Sequence, residues 1–171
     1  MALLDILEAP DRRLTTVASP VERIDDELLR LLDDMLETMY AAPGIGLAAP
    51  QVGVLRRAFV ADLGNEEARA PLFAINPELV ERSRATIVAE EGCLSLPKQF
   101  GEVARAERVR LRYLDRAGTR REIEAAGLLA RCLQHELDHL DGVLFVDHLS
   151  TLKRTMILRR LAKAKRARAT G

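Results

Sequence analysis

Two histidines one helical turn apart, with a glutamate beside the first, can hold a divalent metal and a carboxylate base together, and His135-Glu136-Leu137-Asp138-His139 has this pattern. The chain contains only three histidines, so two at this spacing carry weight. A catalytic mononuclear site takes three protein donors and keeps a position open for water, which requires one more ligand. Where some metal sites continue as HExxHxxGxxH, this chain has Gly142 but then Phe145 in place of the third histidine. A glutamate from a later helix is excluded as well, because no Asp or Glu follows Asp147. Upstream, Glu91-Gly92-Cys93-Leu94-Ser95 offers a thiol preceded by a glycine, which lets backbone approach a ligand closely. Cys93 is therefore the best third donor. The only other cysteine, Cys132, lies three and seven residues before the two histidines, on their helix face, and reads as lining a pocket.

A metal held by Cys93, His135 and His139 would lower the pKa of water in its open position toward neutrality. Glu136 is next to a ligand without having to be one. Its carboxylate can take the proton during attack and hand it to the leaving amine as the tetrahedral intermediate collapses. The donor set suits one zinc ion per chain, and nickel, cobalt or ferrous iron would also fit, since availability often decides.

The helix bearing these residues spans about 126 to 141 and is stopped by Gly142. Leu128, Leu129, Cys132, Leu133, Leu137 and Leu140 surround it with apolar groups, so it belongs in the core. An earlier amphipathic helix runs from about 25 to 41, with Leu28, Leu32, Met35 and Met39 on one face, Asp25 as N-cap and Pro43-Gly44 as stop. Short β-rich runs fall around 57 to 62, 71 to 75 and 85 to 90. Val109, Leu111 and Tyr113 alternate with Arg108, Arg110 and Arg112 as a half-exposed strand, and Asp115-Arg116-Ala117-Gly118 reads as a hairpin turn. With no internal repeat or linker, residues 1–171 are expected to form a single α+β domain. In it, antiparallel strands pack around a central metal-binding helix and a C-terminal helix follows.

Gly44-Ile45-Gly46-Leu47-Ala48-Ala49-Pro50-Gln51, Glu91-Gly92-Cys93-Leu94-Ser95 and His135-Glu136-Leu137-Asp138-His139 resemble, in order, the three motifs of the peptide deformylases. The resemblance runs over nearly the whole chain. It implies hydrolysis of the N-formyl group from nascent peptides beginning with formylmethionine, releasing formate during co-translational N-terminal processing. It also implies ferrous iron in the cell, and an oxyanion site formed by the Gln51 side chain and the Leu94 backbone N–H. By matching positions, Ile45, Leu128 and Cys132 line the methionyl pocket. Glu91 and Arg105 match a buried ion pair that supports the cysteine loop. A peptide can pair its backbone with the Gly44 to Gly46 loop and with Gly92, as a strand added to an edge. Phe100 stands where some relatives have a basic residue near the substrate mouth.

Composition agrees: 48% hydrophobic and 30% charged residues over 171 positions suit one globular domain with a real core. No window approaches a membrane span. Asp5 breaks the N-terminal apolar run, so no signal peptide is expected and the cytoplasm is the expected compartment. Net charge is formally zero, yet eight Lys/Arg and no acids lie from Ser150 onward, leaving an acidic body and a basic tail. Leu152, Met156, Ile157 and Leu161 give residues 150 to 165 an apolar spacing, so a docked helix is expected, with a cationic face that the resemblance assigns to the ribosome. Neither DNA nor a membrane is an expected partner. Two other readings of the pentad remain: an HExxH-type metallopeptidase cleaving internal peptide bonds, which would not need Cys93, and a structural metal site with its fourth position filled by protein.

Overall fold

The computed structural model describes residues 2–170. In chain order it runs α1 (Asp26–Ala41), β1 (Gly46–Ala48), β2 (Ala58–Ala61), β3 (Leu72–Arg82), β4 (Thr86–Cys93), β5 (Leu96–Ala106), β6 (Arg108–Leu114), β7 (Arg120–Ala126), α2 (Gly127–Leu140) and α3 (Thr151–Thr170). Ala58-Phe59-Val60-Ala61 is apolar throughout and buried at every position, the pattern of a strand covered on both faces. β2 accordingly lies inside a five-stranded antiparallel sheet of order β1-β2-β3-β6-β7. Its side chains alternate between two cores. Ala58 and Val60 join Leu47 and Ile75 against one helix, while Phe59 and Ala61 join Ala48 and Ala74 against another.

The first helix is α1, whose buried Leu28, Leu32, Met35 and Met39 form the stripe expected from the sequence. Asp25 caps it, its Oδ1 accepting from the Leu28 N–H at 2.9 Å. On the opposite face α2 buries Ala130, Leu133, Leu137 and Leu140 against Phe59, Ala74 and Leu111. This helix ends at Gly142, whose φ of +73° is the left-handed conformation that stops helices. A side chain there would also stand 2.7 Å from the Thr15 carbonyl.

Strands β4 and β5 form a separate two-stranded hairpin with a two-residue tip, Leu94-Ser95. A register shift between Gly92 and Cys93 marks the end of the ladder, so Cys93 sits at the tip. The Ser95 carbonyl accepts from the Ala9 N–H at 2.9 Å, tying the tip to the N-terminal segment. A third core, with Ile157 and Leu161 of α3 against Leu96, Val103 and Phe145, covers the hairpin.

The expected helices and the α+β layout are present, with several differences in extent. β3 and β4 run further than the sequence suggests, to Arg82 and Cys93, and α3 continues to Thr170. β5 is not expected as a strand, and β7 only as the partner that the Asp115 to Gly118 hairpin turn implies. On α3 only Ile157 and Leu161 are buried, whereas Leu152 is 71% and Met156 43% exposed, because the helix touches the body along a narrow stripe. No helix among the described residues is long and apolar enough to cross a membrane.

Candidate metal centre and active site

The hairpin tip brings Cys93 to the face of α2 that carries the two histidines, and the ligand atoms of all three lie within 4.8 Å of one another. His139 Nε2 is 3.2 Å from His135 Nε2 and 3.3 Å from Cys93 Sγ. The two rings meet nearly edge to face, at 73°. His135 Nδ1 is 2.9 Å from Glu91 Oε1, so Nδ1 carries the proton and donates, and Nε2 turns a lone pair toward His139 and Cys93. Three lone-pair atoms at such separations cannot all be satisfied by hydrogen bonds, since each proton serves one contact. A cation serves all three, and a thiolate with two neutral imidazoles is the donor chemistry of a divalent transition metal. Burial holds the His139 imidazole well below its usual pKa, in the neutral form that ligates.

Glu91 orients His135 from behind. Its carboxylate accepts from Arg105 Nε at 2.8 Å, Arg105 Nη2 at 2.9 Å and Arg131 Nη1 at 2.6 Å. Burial alone would raise its pKa, but the Arg105 guanidinium and the His135 ring outweigh it and keep the group well below the usual carboxylate range. The Glu91–Arg105 pair is thus buried, both side chains being 5% exposed.

Glu136 turns the other way from the helix, toward β1. It is 3% exposed, and its Oε2 is buried with no hydrogen-bond partner. Burial pushes the carboxyl up to about 7, a value suited to taking and returning a proton near neutral pH. Its Oε1 lies so close to Gly46 that a Cβ there would stand 2.6 Å away. Gln51, 1% exposed, is held on the adjoining 3-10 turn: its Oε1 accepts from the Ala48 N–H at 2.9 Å, and its Nε2 donates to Ser95 Oγ at 3.0 Å. That Nε2 is also 3.6 Å from Cys93 Sγ.

These groups open into a cavity of about 730 Å³. Gly44, Ile45, Gly46, Gly92, Leu128 and Cys132 line it together with Gln51, Cys93, Leu94, His135 and Glu136; His139 lies behind, fully buried. The fold therefore gathers every site residue expected from the sequence around one cavity. The Cys132 thiol donates to the Ile45 carbonyl at 3.8 Å, and burial pushes its pKa up, so it remains a neutral wall group. Both cysteines are free. Phe100 is 59% exposed at the mouth and packs over Gly92.

Residues 3–155 match the family described as polypeptide deformylase. The chain belongs to the polypeptide deformylase family. It is 55% identical over 174 residues to the peptide deformylase of Rhizorhabdus wittichii, covering 98% of each chain. It is 59% identical over 166 residues to that of Alkalilimnicola ehrlichii, covering 97% of this chain and 93% of that one. Among solved structures, the peptide deformylase of Ehrlichia chaffeensis in complex with actinonin superposes with a TM-score of 0.92 at 42% identity, covering 97% of this chain and 99% of that chain. The Legionella pneumophila peptide deformylase gives 0.92 at 48%, covering 99% of both. The deformylase reading stands, and the endopeptidase reading of the His-Glu pair finds no support among these relatives.

Two site features escaped the sequence. Ser95 holds the Gln51 amide, and nothing in its type or spacing marks it. Arg131 lies on α2 with its guanidinium on Glu91. It was detectable only as the one Lys/Arg of that helix, four residues before His135.

Proposed function

We propose that this chain removes the N-formyl group from the N-terminal formylmethionine of nascent polypeptides, releasing formate, with Cys93, His135 and His139 holding one divalent metal. The observation that carries this reading is the buried, unpartnered Glu136 carboxylate beside three converging donors at the end of a largely apolar cavity. The methionyl side chain enters between Ile45, Leu128 and Cys132, where an unbranched apolar group fits. The peptide backbone extends between the Gly44 to Gly46 loop and Gly92, adding a strand to the free edge of β4. Gln51 Nε2 and the Leu94 N–H donate to the formyl oxygen as negative charge develops on it. Glu136 accepts the proton of the attacking water, then delivers it to the amide nitrogen as the C–N bond breaks and formate departs. The bound metal supplies Lewis acidity and makes water nucleophilic near neutral pH.

Ferrous iron is the cofactor this reading favours in the cell, with zinc, nickel and cobalt as substitutes for the same donors. The compartment is the cytoplasm, where nascent chains emerge and two free thiols are at home. Residues 1–171 act as one catalytic domain whose basic helix contacts the ribosome. An anaerobic assay of formyl-Met-Ala-Ser with metal analysis tests the chemistry. Wild type releases formate. Glu136→Ala keeps its metal but loses at least about 100-fold in rate, and Cys93→Ala loses metal. Failure of wild type to release formate would sink the proposal.

A further inference from the structure

The donor set comes from two elements, Cys93 from β4 and both histidines from α2, and no backbone hydrogen bond among the described residues joins those elements. Side chains hold them in register. Arg105 grips both oxygens of Glu91, but it stands on β5, the hydrogen-bonded neighbour of β4, so this fork fixes Glu91 chiefly with respect to its own hairpin. Its further bond to α2 goes to Asp138, whose side chain is 23% exposed. Arg131 differs in standing on α2 itself, one turn before His135, and it is only 8% exposed. Its Nη1 donates to Glu91 Oε2 at 2.6 Å and to the Val103 carbonyl of β5 at 2.9 Å, and its Nη2 donates to the Ile87 carbonyl of β4. One guanidinium thus grips both strands of the hairpin and the carboxylate that orients His135. It also saturates Glu91: with Arg105 and His135, four donors meet its two oxygens.

We propose that Arg131 is a positioning residue for the metal centre, clamping the Cys93 hairpin to the histidine helix and fixing Glu91 so that His135 keeps one tautomer and one ring orientation. A planar fork is needed for this, since one donor pair must reach a carboxylate and two carbonyls at once. The assignment rests on the metal-centre reading above, deepening it by one residue. Groups that orient a ligand from behind govern metal affinity by about 10- to 100-fold.

The test uses the full chain loaded anaerobically with Co2+, affinity being read from the thiolate-to-cobalt absorption against a competing chelator, with Tm measured in parallel. Arg131→Met is expected to bind cobalt about 10- to 100-fold more weakly than wild type. Arg131→Lys, which keeps the charge without the fork, is expected to fall between, and it decides the matter if the methionine variant does not fold. A cobalt affinity within about twofold of wild type in whichever variant folds, even with a lowered Tm, overturns the assignment, because residues that only support the fold move Tm alone. Wild type failing to bind cobalt through a thiolate sinks the metal-centre reading and this assignment with it. A cobalt-binding wild type with an unchanged variant sinks the assignment alone.

Discussion

Gly46 decides where the Glu136 carboxylate can lie. A Cβ at this position would come within 2.6 Å of Oε1 and 2.9 Å of Cδ, closer than any packed side chain tolerates, and Glu136 is buried with little room to retreat. Gly46→Ala therefore displaces the carboxylate proposed to carry the proton while leaving Cys93, His135 and His139 in place. Formate release should fall at least about tenfold, since an ångström of misplacement costs that much or more, with metal content unchanged. Steady-state kinetics alongside metal analysis checks this, and full activity in the alanine variant would remove Glu136 from its assigned role. The pentad was legible because His135, Glu136 and His139 are local on one helix, and Cys93 followed from a downstream supply of donors reduced to Asp141, Asp147 and His148. Gln51 and Leu94 needed the family resemblance. Arg131 was illegible because a helix arginine normally faces water; only a buried carboxylate 40 residues away makes it an internal group.

Elements with a strong period were readable, and those without were not. The 3.6-residue stripe of α1 and the all-apolar β2 declare themselves. β7, Arg-Arg-Glu-Ile-Glu-Ala-Ala, looks like a charged loop until β6 lies beside it and Arg110 and Arg112 meet Glu124 and Glu122 across the ladder. β5 contains Pro97 and Gly101, and its half-exposed face blurs alternation. α3 is held by Arg154 on Asp147 near its start, by Ile157, Leu158 and Leu161 around its middle and, near its end, by Arg168 on Glu8 at 2.6 Å. The hydrogen bond from Arg168 lowers the Glu8 pKa, so the link is present above the ordinary carboxylate pKa and is lost as pH falls through the lowered value. Between neutral pH and a pH well below the ordinary carboxylate range the segment beyond Leu161 should lose order by NMR relaxation while the stretch around Ile157 keeps it. Glu8→Gln should abolish that dependence, and equal order at both pH values in wild type would mean that the pair does not hold the helix.

Across the whole molecule, the catalytic cavity and the charge asymmetry are separable. Ile157 and Leu161 fix one side of α3 to the body, which leaves Arg159, Arg160, Lys163, Lys165 and Arg166 exposed to solvent on a molecule whose remaining surface carries the acidic excess. A cationic helix suits a polyphosphate backbone, and binding of that kind weakens in proportion to log salt with a slope set by the number of phosphates neutralised. Deleting the residues after Leu161 removes Lys163, Lys165, Arg166 and Arg168 but none of the groups that line the cavity or hold the metal donors. The truncated chain should therefore hydrolyse formyl-Met-Ala-Ser at the wild-type rate yet co-sediment with ribosomes more weakly. Its salt slope should be shallower by up to about three to three and a half, because each lost phosphate contact subtracts about 0.7 to 0.9. If truncation leaves both the affinity and the slope where they were, the basic helix is only a solvated end of the fold and nascent chains reach the cavity by diffusion.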